Sequence, residues 1–171
     1  MTQASLDAND RDIWEWLALR AEVRLQAQLS AAIAADQRAM VWSGLLAAAA
    51  AALASAASVC LTSSPPKIGL GYTAVVGCGG LLIGLLFAVL AARPSRWFYP
   101  GSLPSAWISD IRTHKPQAQA MQEFCDDLSD MICKNERLMA DNGKMLMLSV
   151  YLTVATLFGC VISIGKITFG A

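Results

Sequence analysis

The residues with the most chemistry to offer lie between Arg93 and Pro116, in the stretch RPSRWFYPGSLPSAWISDIRTHKP. Arg93, Arg96 and Arg112 supply guanidinium groups, and Trp97, Phe98 and Tyr99 supply three consecutive aromatic rings. Guanidinium forks take phosphate oxygens in pairs and aromatic faces stack on bases, so these are the groups a nucleotide would need. The same composition has a plainer explanation. Aromatic residues beside arginines, directly after an apolar run, also form the belt at a membrane–water boundary. Elsewhere the conventional chemistry is thin. There is no glycine-rich phosphate loop and no Ser/His/Asp set. The five cysteines form no CxxC pair, and with His114 as the single histidine a zinc site is not expected. Asp126, Asp127 and Asp130 read as a solvated helix face. The expectation is a chain that is not an enzyme and carries no cofactor or metal.

Three uncharged runs must position these residues: Ala39 to Pro66, Ile68 to Ala92 and Met145 to Gly165, each at least 20 residues long. About 20 residues of α-helix cross a hydrocarbon layer of roughly 30 Å. With 56% hydrophobic and 15% charged residues, a soluble bundle is the weaker explanation, because no soluble helix needs all its faces apolar over such lengths. The first apolar run starts too far in, after an acidic N-terminus, for a cleaved signal peptide. The fold class expected is an all-α membrane protein: three transmembrane helices with cytoplasmic helical extensions, in a homo-oligomeric bundle.

Charge sets the expected orientation. Arg20, Arg24 and Arg38 precede the first span, Arg93, Arg96 and Arg112 follow the second, and Lys134, Arg137 and Lys144 precede the third; the other flanks hold only Lys67 and Lys166. Basic residues collect on the cytoplasmic side, which places the N-terminus inside and the C-terminus outside an inner membrane. All 13 acidic residues fall on the same inner side. A net charge of zero gives no field that would favour a nucleic acid polymer.

The division expected is a cytoplasmic helix over 1–40, a transmembrane hairpin over 41–92 with spans at 41–62 and 68–92, an interfacial loop over 93–115, an amphipathic helix over 116–144 and a third span over 145–166. The first helix should start near Asn9 or Asp10, both good caps. Ile13, Leu17, Ala21, Leu25, Ala32 and Asp36 fall on or near one stripe, to pack on another cytoplasmic helix in preference to the bilayer surface. No Gly or Pro interrupts residues 11–43, so this helix should run on into the first span. In the 116–144 helix, Met121, Cys125, Leu128, Ile132, Asn135, Met139 and Asn142 alternate at four and three residues, a heptad seam. Asn135 and Asn142 would fix its register against a partner helix. Gly143 is the one weak point before the third span. Ala47 to Ala52 in span one, and Gly80 with Gly84 in span two, let helix backbones approach closely. So many small residues exceed what three helices can bury among themselves, hence the expected homo-oligomer. The stripe Ser149, Thr153, Thr156 and Ser163 in span three fits either a pore lining or hydrogen bonds between helices.

Taken in order, these parts resemble the small transmembrane effectors of bacterial Pycsar and related nucleotide-signalling anti-phage systems. The resemblance rests on Asp36, Arg38 and Ala39 entering span one; on Arg93 and Pro94 after span two; on Trp97, Phe98, Ile108 and Ile111 in the loop; and on Leu128, Ile132, Asn135 and Lys144 before span three. The family loop has two adjacent phenylalanines and a glycine, where this chain has Trp97-Phe98-Tyr99-Pro100-Gly101. The resemblance implies an effector that oligomerises or opens and impairs the inner membrane when a cyclic mononucleotide is made during infection. It adds Asp36 and Arg38 to the arginines and aromatic residues as candidate ligand contacts. The alternatives are an accessory subunit of a larger membrane complex and a holin-like pore protein.

Overall fold

The computed structural model describes residues 3–93, 96–101 and 104–169; side chains are described from Asp12 onward and, within 104–107, for Ser105 alone. Pro94, one of the positions carrying the family resemblance, lies outside the described residues. The protein is all-α, with three helices long and apolar enough to cross a membrane. Among the described residues four helices follow in order: α1 Gln3–Thr62, α2 Ile68–Ala91, α3 Pro104–Arg112 and α4 Gln117–Phe169. The chain divides into two compact units, residues 1–33 with 95–139 and residues 34–94 with 140–171.

Helix α1 begins at Gln3, ahead of the expected start at Asn9 or Asp10. Residues 3–8, QASLDA, hold no Gly or Pro and include good helix formers, so nothing stops the helix from extending back. Helix α4 passes through Gly143 without a break. The segment expected as loop contains α3, a short helix that opens on a proline, the residue best suited to a first turn. It closes on His114, which takes a left-handed backbone (φ 54°). The His114 N–H bonds the Ile111 carbonyl at 3.2 Å and the Lys115 N–H bonds the Asp110 carbonyl at 3.1 Å, the paired bonds that close a helix C-terminus. The lone histidine is therefore a capping residue. Gly101, at φ +96°, makes a second left-handed turn among the described residues of this segment.

In the first unit α1 packs on α4. Ala18, Leu25, Cys125 and Leu128 form the buried core, with Trp14, Ala21, Met121, Phe124 and Ile132 against it. Cys125 donates its S–H to the Trp14 carbonyl at 3.7 Å, while Arg24 meets Glu136 and Gln28 meets Ile132, so the two helices run in the same direction. On α1 the buried positions Ala18, Leu25 and Ala32 recur every seven residues. Ile13 and Leu17, expected on this face, are exposed. The inner stripe is narrower, and its small residues let α4 come close.

In the second unit α2 packs against α1 and α4. Leu46 and Ala50 of α1 meet Leu81 and Ala88 of α2. Gly77, Gly80 and Gly84 of α2 face α4, while Gly71 meets Leu61 of α1. A Cβ on Gly77 would stand 2.7 Å from the Cys160 sulfur, and one on Gly80 would stand 2.6 Å from Thr156 Cγ2, both shorter than real contacts. Gly80 and Gly84 thus serve close approach within one chain. Ser149 is fully buried among these helices. Its hydroxyl donates to the Gly84 carbonyl at 2.7 Å and accepts from Trp42 Nε1 at 3.1 Å, tying α1, α2 and α4 together. Thr153 bonds back to the Ser149 carbonyl at 2.8 Å. For Ser149 the polarity of span three is interhelical hydrogen bonding.

Candidate functional site

The aromatic segment is held against α4 by Asn135. This side chain is fully buried in the first unit. Its Oδ1 accepts from the Phe98 backbone N–H at 3.1 Å, and its Nδ2 donates to the Phe98 carbonyl at 3.0 Å. One amide satisfies both polar groups of one extended residue, as a neighbouring strand would. The seam position of Asn135 was legible in the sequence. Its partner is a loop 37 residues away and not another helix.

The clamp fixes where the ring of Phe98 goes. Lys134, next to Asn135, places its ammonium 5.3 Å from the Phe98 ring centroid, within reach of a cation–π attraction. Lys134 also pairs with Asp130 at 2.5 Å. Trp97 and Phe98 are half-buried, while Arg96 and Tyr99 are exposed. The first unit thus brings a half-open aromatic surface and a lysine together, with Arg96 two residues before Phe98. Arg112, the last residue of α3, belongs to the same unit and is exposed.

The other expected ligand contacts belong to the second unit. Asp36 is half-buried on α1. Arg38 is exposed and lines a groove of about 380 Å³ with Gln37, Val41 and Trp42. Arg93 is exposed just after α2. Asn142 is half-buried on α4. A larger groove of about 810 Å³ between α2 and α4 is lined by Tyr72, Val76, Gly79, Ile83 and Gly159 among others and by no charged residue, so it offers a phosphate no cation.

Sequence reasoning missed Lys134 as a member of the aromatic cluster. The available signal was its place beside a seam asparagine, which puts it at the edge of whatever that asparagine holds. Reasoning from the sequence also missed the clip at the α3–α4 corner. Lys115 is hydrogen-bonded and paired with Glu123, and lies 3.6 Å from Asp110. The hydrogen bond that Lys115 donates to Glu123 and the charge of Asp110 raise the Lys115 pKa, against desolvation, and the same hydrogen bond lowers that of Glu123. Burial, with help from Asp126, pushes the Cys125 thiol up, which keeps it unreactive. Among the described residues no three His, Cys, Asp or Glu side chains gather to hold a metal. Comparison with family models, curated proteins and solved structures finds no match to this chain.

Proposed function

We propose that this chain is a membrane effector of a bacterial nucleotide-signalling anti-phage system. A cyclic mononucleotide triggers a homo-oligomer of it to open or reassemble, and the inner membrane loses integrity. The N-terminus is cytoplasmic and the C-terminus outside, as the distribution of basic residues favours. The observation that carries the ligand reading is the clamp: Asn135 spends both ends of a buried amide on presenting one aromatic residue, Phe98, beside Lys134. A core position given over to orienting a half-exposed ring suits a surface that receives a planar ligand. Phe98 would stack on the base, and Lys134 and Arg96 would meet the phosphate. Support for the switch comes from the small residues between the helices, which let them repack with little steric penalty.

The test is dye release from vesicles carrying the purified protein, with and without a panel of cyclic mono- and dinucleotides. Release triggered by one cyclic nucleotide, and abolished by Phe98→Ala with the fold intact, is the expected result. Release with no trigger would overturn the gating and favour a holin-like pore. Silence toward every nucleotide, with co-purification of a stoichiometric protein, would favour an accessory subunit.

A further inference from the structure

The face of α1 turned away from the core of the first unit is apolar and uncovered. Trp16, Leu19, Val23 and Ile33 are between 52% and 60% exposed. With Gln26 and Ser30, also exposed, they alternate at intervals of three and four residues. This is a second heptad stripe, with Trp16, Val23 and Ser30 in one position and Leu19, Gln26 and Ile33 in the other. Two residues are about 200° apart around a helix, so Val23 faces away from the fully buried Leu25. A 3.5-residue period is what a second helix imposes. A bilayer surface or a globular partner requires no such period.

Two observations name that helix. Glu15 and Arg20 flank the stripe on opposite sides, five residues apart, the offset at which side chains on two parallel, in-register helices meet. A second copy of α1 satisfies this pairing twice, once from each chain. The Arg20 guanidinium already lies over the stripe, 5.2 Å from the ring centroid of Trp16. The spacing also continues in the second unit, at Gly44, Ala47, Ala51 and Ala54, all exposed. Small residues there allow two helix backbones to approach within a membrane.

We infer that α1 pairs with α1 of a second copy of this chain, parallel and in register, along the stripe that begins at Trp16. This gives the homo-oligomer proposed above a contact surface and needs no ligand. Leakage without the cross-links described next, or cross-links without leakage, separates the failure of one proposal from that of the other.

The experiment is disulfide cross-linking of the full chain in phosphatidylethanolamine–phosphatidylglycerol vesicles, with copper–phenanthroline as oxidant, read on a non-reducing gel. Ser30→Cys, nearly isosteric, and Val23→Cys sit on the stripe. Ala31→Cys and Arg24→Cys are their immediate neighbours off it. All four positions are exposed, so the substitutions disturb no core. Measured above any dimer band that the parent's five free cysteines give, both stripe variants should give about tenfold more dimer than their neighbours, because facing positions of a heptad seam bring Cβ atoms within disulfide reach. Cross-linking at both Val23 and Ser30 requires parallel, in-register helices. Equal yields on and off the stripe would overturn the pairing, as would yields at all four positions no greater than the parent's, which would mean that lipid or another protein covers this face.

Discussion

Asn135 and Ser149 stand on the same helix, fourteen residues apart and at equivalent heptad positions, and both are fully buried. They solve different problems. Asn135, in the first unit, has a loop to hold, and its amide reaches out to both polar groups of Phe98. Ser149, in the second unit, sits where α2 has come close through its glycines, and only a short hydroxyl fits between the Gly84 carbonyl and Trp42. A buried polar residue in a helical seam therefore carries no single meaning. The first unit uses one to present a surface, and the second uses one to lock helices together. If this comparison is right, damage at Asn135 should free the loop and leave the helix bundle standing, while damage at Gly80 or Ser149 should weaken the bundle and leave the loop held.

The largest effect is expected at Asn135. Asn135→Leu keeps the volume but leaves the Phe98 N–H and carbonyl without partners. Each unpaired buried group costs about 1–3 kcal/mol, offset where water reaches the loop, so the expected loss is about 2–3 kcal/mol. Trypsin reads it directly, since Arg96 lies in the loop while the Arg93–Pro94 bond resists cleavage. Where cutting follows the open population, cleavage after Arg96 should rise roughly 30- to 150-fold, with the helical circular dichroism unchanged. A cleavage rate unmoved by the substitution would show that Asn135 does not hold the loop.

Next comes the helix contact. Gly80→Ala places a methyl group against Thr156. Overpacking of this kind costs typically about 1–3 kcal/mol. It should appear as a lower midpoint of detergent-induced unfolding, with Arg96 cleavage as in the parent. Trimming the neighbour, in Gly80→Ala with Thr156→Ala, should recover a substantial part of the loss. No recovery would place the strain elsewhere.

Ser149→Ala should cost less, about 1–2 kcal/mol, because the Gly84 carbonyl keeps its place in the α2 helix and only Trp42 Nε1 is orphaned. The cycle with Trp42→Phe tests the assignment. Once the indole N–H is gone, removing the hydroxyl should cost measurably less than in the parent. Additive losses would mean that the two side chains act independently.

The contrast between the units also explains which parts could be read from the sequence. The uncharged runs marked α2 and the apolar halves of α1 and α4, because length and apolar composition alone decide whether a helix can cross a membrane. The heptad of α4 was equally legible. What these side chains touch was not. The Asn135 amide pairs with an extended backbone, which leaves no periodic trace. The Gly80–Gly84 spacing announces a close approach without saying to which helix or in which copy. On α1 the expected stripe held Leu25 and Ala32 of the inner seam, but it admitted the exposed Ile13 and Leu17 and passed over Ala18, because an alanine leaves little amplitude in a hydrophobic pattern. Helix α3 was hidden by the prolines around it, since a proline that forbids a helix interior also begins one.

The smallest effect concerns the corner that carries the loop into α4. The Lys115–Glu123 pair closes it beside the His114 cap. Glu123 has a folded pKa below its ordinary 4.5, so its contribution is complete above that value and is lost as pH falls through the lowered one. Lys115 has a folded pKa above its ordinary 10.5, so its contribution is complete below that value and is lost as pH rises through the raised one. The clip should therefore hold evenly between those limits and open on the acid side only below the ordinary carboxylate range. Amide exchange at Thr113–Lys115, corrected for intrinsic rates, should be flat with pH down to that range and rise beneath it. Glu123→Gln should remove the acid rise attributable to this pair while Asp110 keeps Lys115 partly engaged at 3.6 Å. An exchange profile identical in the parent and in Glu123→Gln would mean that the backbone cap at His114 holds the corner alone, and that the loop is positioned by Asn135 at one end and by the cap at the other.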